Sequence, residues 1–356
     1  MRSINKKKNY LQDNRLISSI QFLETMQIFK RGELKLLWPF YLDALISPML
    51  FFMPIFIIVY FRDLGFSLFQ ISILTSMMPL FMLLFEIPTG AFADVYGRKK
   101  SVLLGAVIQG IAITSIFFLK DYFALLFSFA LLGIGTTFNS GAREAWIVDL
   151  IKSKKIVQLH DFFVKTSSLD SFGLVVSGLI GAFLVKNFGL SIIWIVAGLS
   201  FFMTLAILSF AEEKYVKKRV QIKKLFSNLF RKSVDALNYS RKHHVLKHFL
   251  IAMSILTVAN VFNGDLGWIK FLQELGLKDY FFGYLWSLMA LGGVFAPLLA
   301  SKLIKKNKER KFLIEMLILS IILTALIIFV SQAIFAALIL IAAVFLWRMI
   351  APAERV

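Results

Sequence analysis

Asp43, Glu86, Arg143, Glu144 and Asp170 stand inside otherwise apolar runs of this sequence. A charge at the centre of such a run costs roughly 2.5–3.5 kcal/mol if the run crosses a bilayer, so each needs a partner or a proton. The chemistry open to carboxylates and a guanidinium in that setting is ion pairing, proton uptake or both. Asp43, Glu86, Arg143 and Glu144 fall at similar distances from one end of their runs, which puts them at one depth. A structural network of Arg143 with Asp43 or Glu86 fits that placement, and so does a proton-coupling site. Asp170 lies near the middle of its run and is the best single candidate for an acid facing a central cavity. Asn139, Asn260 and Asn263 are candidate polar lining of that cavity, and each also fits an interhelical hydrogen bond.

The segment Gly90-Ala-Phe-Ala-Asp94-Val-Tyr-Gly97-Arg98-Lys99-Lys100 interrupts two long apolar runs with an acid, two glycines and a basic cluster. A short charged turn there holds its ions at the membrane surface, where a pair can latch helices together. Gly90 is expected to let its helix pack closely, and Gly97 to permit a tight turn. Arg98 is expected to reach a carboxylate at the near end of the fourth run, for which Asp149 is the candidate. Lys99 and Lys100 are expected chiefly to anchor on lipid headgroups. A third pattern, Gly173-Leu-Val-Val-Ser177-Gly178-Leu-Ile-Gly181-Ala182, spaces small residues for close helix contact.

Long helices must carry these residues. Hydrophobic residues make up 58% of the 356, with a mean hydropathy of +0.77, well above the roughly 45–50% apolar content of soluble domains. Apolar runs long enough to cross a ~30 Å hydrocarbon core recur ten times, at 36–60, 69–93, 101–119, 122–147, 162–185, 190–211, 246–269, 280–300, 312–330 and 332–350. The expectation is an all-α polytopic membrane protein. With the amino terminus cytoplasmic, only Arg62, Lys120, Lys186, Lys270 and Lys278 face outward, and 35 of the 40 Lys and Arg lie inside or at inner ends of spans. That bias follows the positive-inside rule and puts both termini in the cytoplasm. Residues 1–35 read as a cytoplasmic tail, too basic for a signal peptide. Residues 212–245 read as a basic linker with an interfacial helix, because Ile222, Leu225, Phe226 and Leu229 recur at helical spacing among lysines and arginines. The linker separates a six-run half, 36–211, from a four-run part, 246–356.

Other chemistries find little support. With no Cys there is neither a disulfide nor a thiolate. His243, His244 and His248 have no carboxylate nearby and sit among lysines, so no metal site is expected. The net charge of +19 is spread in short blocks between apolar runs, which argues against nucleic acid. No nucleophile elbow or dinucleotide fingerprint appears, leaving an enzyme without support and no cofactor expected.

Gly90, Asp94, Gly97, Arg98 and Lys99 fill the pattern Gly-x-x-x-Asp-x-x-Gly-Arg-[Arg/Lys], which resembles the signature loop between helices 2 and 3 of the major facilitator superfamily of secondary transporters. The stretches 85–90 and 139–145 resemble drug-efflux members, including tetracycline- and macrolide-efflux types. The run around Gly173, Gly178 and Gly181 is similar to the antiporter motif Gly-x-x-x-Gly-Pro-x-x-Gly-Gly, with Ser177 and Ala182 in place of glycines and Gly178 in place of proline. The resemblance implies two six-helix halves related by a pseudo-repeat, with a small-molecule substrate bound near the bilayer midplane. A shift of 207 residues lays 93–99 on 300–306 and Asp149 on Val356. On that register the chain stops after the tenth of the family's twelve helices. Helices 11 and 12 would then have to come from a separate segment, and the Asp94 latch would lose the helix 11 end that it meets in the family. The implied function is proton-coupled efflux across a bacterial cytoplasmic membrane. A uniporter or importer of a small metabolite is the alternative within the class, and a non-transporting fragment or scaffold the alternative outside it.

Overall fold

A computed structural model describes residues 29–30, 32–154, 157–213, 238–243, 246–251, 254, 268–304 and 309–350. Its helices are α1 (Glu33–Leu50), α2 (Met53–Asp63), α3 (Leu68–Tyr96), α4 (Arg98–Phe118), α5 (Tyr122–Asn139), α6 (Ala142–Lys154), α7 (Leu159–Phe188), α8 (Ile192–Ser209), α9 (Trp268–Glu274), α10 (Phe281–Leu303), α11 (Glu309–Leu326) and α12 (Ala333–Ile350). No strand occurs among the described residues. Six stretches there are long and apolar enough to cross a membrane: Glu33–Asp63, Leu68–Tyr96, Arg98–Phe118, Tyr122–Lys154, Leu159–Phe188 and Ile192–Ser209. Shorter apolar helices follow at Phe281–Pro297 and Ala333–Met349. Most of the run expected at 246–269, with Asn260 and Asn263, lies outside the described residues, as does His244.

Two of the six stretches are broken, which a count of apolar residues does not reveal. In the first, Pro48 and Pro54 flank the junction of α1 and α2, and a proline supplies no amide proton and clashes with the preceding turn. In the fourth, Asn139-Ser140-Gly141 ends α5 and starts α6. Ser140 is extended and Gly141 takes a φ of +65° that a side chain would resist. The freed backbone is partly satisfied locally, by Ser140 N on Thr136 O at 3.0 Å and Ala142 N on Ser140 O at 2.6 Å. A non-helical turn at membrane depth is tolerated only when buried in protein or lining a cavity.

The turns at Gly97 and Ala211 and the starts of α1 and α7 gather at one end of the bundle, called the basic end below. The turns at Gly65, Lys120 and Gly189 lie at the opposite end, where Ser67 with Gln70 and Asp121 cap α3 and α5. Helix α1 packs on α7 and α8, α4 on α5 and α8, and α3 on α5, while α10 crosses α7 and packs on α12. Two apolar clusters result. One, near the basic end, includes Leu37, Phe40, Trp146, Leu150, Phe162 and Leu208. The other includes Phe52, Phe56, Phe61, Phe129 and Trp194. Between them on α1, α6, α7 and α8 come Asp43, Arg143, Asp170 and Thr204, so the polar residues form a belt separating two close-packed layers.

Candidate functional site

Asp43 is wholly buried on α1, its side chain 1% exposed. Its Oδ1 accepts a hydrogen bond from Thr204 Oγ1 of α8 at 2.6 Å. Its Oδ2 is in ionic contact with Arg143 Nη2 at 2.5 Å, yet receives no well-directed hydrogen bond among the described residues. Arg143 is the second residue of α6, so the break at Gly141 aims it across at α1. Asp170 of α7 is partly buried and lies within electrostatic reach of both Arg143 and Asp43. Arg143 is thus in direct contact with Asp43 alone and acts on Asp170 only through space. Glu86 stands apart from this group: it accepts from Ser140 Oγ at 2.7 Å, so α3 touches the broken turn rather than Arg143. Glu144 is exposed, and the buried Oδ1 of Asn139 has no hydrogen-bond donor among the described residues.

At the basic end, Gly97 has a φ of +106° and joins α3 directly to α4. Arg98, first residue of α4, binds the Asp149 carboxylate of α6 and donates to Ala145 O at 2.6 Å. Asp94 sits half-buried on the last turn of α3. Two expectations need correction here. Among the described residues Gly90 makes no close approach, since none of their atoms lies within 4 Å of where its Cβ would stand; α3 exposes Leu80, Leu83 and Leu84 along that side. Lys99 is not chiefly a headgroup anchor, because its Nζ donates to Ser209 O at 2.6 Å and Ala211 O at 2.8 Å, capping the end of α8. Glu213 makes the converse contact: its carboxylate accepts from Lys99 N at 3.0 Å, at the positive end of α4. Lys100 is exposed.

A second buried ion pair escaped the sequence reading. Glu33, wholly buried, accepts from Lys165 Nζ of α7 at 2.6 Å, from Tyr41 Oη and from Lys30 N at 2.7 Å. Lys165 also lies over the Phe29 ring, and Lys30 pairs with Asp161 at 3.0 Å. The signal was available, since Lys165 is a charge inside the fifth apolar run and Glu33 precedes the first by three residues. The first helix therefore opens at Glu33 rather than 36.

The small residues of α7 serve two neighbours. A Cβ on Gly173 would meet Leu45 O of α1 at 2.9 Å, and one on Gly181 the Phe56 ring at 2.8 Å. Gly178 faces α10, where a Cβ would come within 2.3 Å of Gly283 O, and Ser287 Oγ donates to Val175 O at 2.6 Å. Beyond that crossing Lys186 Nζ stands 5.7 Å from the Tyr280 ring centre. These contacts join the first six stretches to α10 toward the end opposite the basic one. Among the described residues no group of three His, Asp or Glu is placed to hold a metal.

A sequence model of the Major Facilitator Superfamily matches residues 41–353. The chain belongs to this family. It is similar to a multidrug resistance protein, MdtH, of Enterobacter sp. (strain 638), 31% identical over 97 residues, which are 27% of this chain and 23% of that protein. An uncharacterized transporter of Buchnera aphidicola is 27% identical over 190 residues, 49% of this chain and 44% of that protein. In each case the chain spans less than half the relative's length. Among solved structures, the nucleoside transporter NupG has a TM-score of 0.69 at 11% identity, covering 88% of this chain and 80% of that one. An inward-open xylose transporter XylE from E. coli has a TM-score of 0.58 at 15% identity, covering 88% and 81%. At such identities the likeness is one of fold. This member of a transporter family is a multi-pass membrane protein.

Proposed function

We propose that the chain works as a proton-coupled exporter of a small amphipathic or drug-like compound, by alternating access in a bacterial cytoplasmic membrane with both termini inside. The observation that carries the reading is the group Asp43, Arg143 and Asp170, in which the guanidinium contacts the buried Asp43 and a second, partly buried carboxylate lies within electrostatic reach of both. Fully ionised, the group holds a net charge of −1 inside the membrane, and that is costly. One proton neutralises it. Protonation of either acid changes which carboxylate Arg143 serves, and so can bias one arrangement of α1, α6 and α7 over another. The Arg98–Asp149 contact acts as the latch of the basic end. The name of the MdtH relatives supports export of drug-like compounds, and the basic linker 212–245 supports contact with anionic lipids.

The test is transport by the purified chain in vesicles with an imposed proton gradient and a panel of lipophilic cations. Gradient-driven flux is expected, with Asp170→Asn abolishing the dependence on the gradient while leaving expression and folding unchanged. Flux whose pH dependence is the same with and without Asp170 refutes its part in coupling.

A further inference from the structure

Hydroxyls in these helices commonly return to their own helix. On α8, Ser200 donates to Ala197 O at 2.6 Å and Ser209 to Ala206 O at 2.7 Å. Thr204, buried between them, donates instead across the bundle to Asp43 Oδ1 at 2.6 Å. The two oxygens of Asp43 are thereby made unlike. Oδ1 is held by a neutral donor, and Oδ2 meets Arg143 with no directed hydrogen bond.

We propose that Thr204 is a positioning residue for proton coupling: its hydroxyl fixes Oδ1 of Asp43 so that Oδ2 is the oxygen that meets Arg143 and takes up the proton. The inference rests on the coupling reading given above. When the proton arrives, an O–H bond forms at Oδ2, the ionic contact with Arg143 breaks, and nothing else leaves the carboxyl group. Oδ1 then becomes the carbonyl oxygen of a neutral acid, which still accepts from Thr204. The carboxyl plane is therefore kept through both states, and Arg143 is released to Asp170. A carboxyl free to rotate would present either oxygen, and the exchange of Arg143 would lose its geometry.

Among the described residues, the charged neighbours of Asp43 are few. Arg143 comes from α6 and Asp170 from α7, while α8 carries no ionisable residue. Nearer the basic end of α1 and α7, Tyr41 and Lys165 both donate to the Glu33 carboxylate. Glu86 of α3 is engaged with Ser140, and Glu144 is exposed.

The experiment is pH-difference infrared spectroscopy of the full chain in lipid vesicles, reading the carbonyl stretch of protonated carboxyl groups. Asp43→Asn is expected to remove one component. Thr204→Val keeps the shape and removes the donor, so that component's pH midpoint moves up by about one unit, the difference between a hydrogen bond to an ionised carboxyl and one to the neutral acid. Thr204→Ser restores the midpoint, which a purely structural role for the side chain would not require. Thr204→Ala serves as a second hydroxyl deletion should the valine variant fold poorly. If the component vanishes in Asp43→Asn yet its midpoint is unmoved by Thr204→Val or Thr204→Ala, Thr204 has no positioning role and the coupling reading survives. If Asp43→Asn leaves every component in place, Asp43 does not titrate, and the coupling reading at Asp43 falls together with the inference.

Discussion

Replacing Gly178 by alanine should separate α7 from α10. An alanine Cβ would stand 2.2 Å from Ser287 Oγ, 2.3 Å from Gly283 O and 2.9 Å from Ser287 N. The hydroxyl can rotate away, but the carbonyl belongs to the backbone of α10. Ordinary contact therefore requires the helices to part by about 1 Å, which stretches the Ser287–Val175 hydrogen bond from 2.6 Å beyond its ~3.5 Å limit. Forcing a methyl into a packed contact costs about 1–3 kcal/mol, and a bias of that size shifts a two-state equilibrium by roughly 5- to 150-fold. The chain has no native Cys, so Lys186→Cys with Tyr280→Cys can report the crossing through a short bifunctional thiol reagent. Cross-linking should fall by at least fivefold on adding Gly178→Ala. Gly283→Ala should act alike, because its Cβ would meet Gly178 O at 2.4 Å, and the two changes together should be less than additive. Gly293→Ala, with no atom of the described residues within 4 Å of the new Cβ, is the control and should leave the yield unchanged. Equal yields for Gly178→Ala and Gly293→Ala would refute the register of α7 on α10.

Arg98→Ala and Asp149→Ala should be non-additive in thermal stability. The coupling should be about 1 kcal/mol or less, since Asp149 is 58% exposed; purely additive losses would remove the pair. Removing one partner of the buried pair, by Glu33→Gln or Lys165→Met, should destabilise by about 3–5 kcal/mol, with the double change milder than the sum, as measured by the apparent Tm in detergent. Reporter tags after residues 30, 228 and 307 should read cytoplasmic, and tags near 65, 121 and 275 external; a single reversed loop overturns the proposed orientation.

The sequence carried the number and order of the first six stretches because length in apolar residues is a strong signal that needs no tertiary context. It also carried the pairing of Arg98 with Asp149, the acid at the near end of the fourth run. The break at Ser140–Gly141 was not legible, since a two-residue interruption barely lowers the hydropathy of a long run. Its effect is large all the same, for it turns Arg143 toward Asp43 and leaves Glu86 to Ser140. Thr204 left no trace because a threonine in an apolar helix most often bonds its own backbone, and only the meeting of α1 with α8 makes it a partner for a buried acid. Glu33 and Glu213 fell just outside the expected spans, where charges are ordinarily solvated. Their burial or pairing depends on helices more than a hundred positions away in the chain.

Lys99 and Glu213 bear on how the protein is made. On the orientation proposed above, the Lys99 ammonium is one of the charges that keep the Gly97 turn on the side of synthesis while α3 and α4 enter the membrane. Its folded partners, Ser209 O and Ala211 O, come 110 or more residues later. At roughly 5–20 residues per second, they leave the ribosome about 5–20 s after Lys99 does. During that interval the turn is exposed to water and headgroups, and only the arrival of the sixth stretch draws the ammonium onto the end of α8. One side chain then acts twice, first as a topogenic charge for the nascent chain and later as a structural clasp that closes the six-stretch unit.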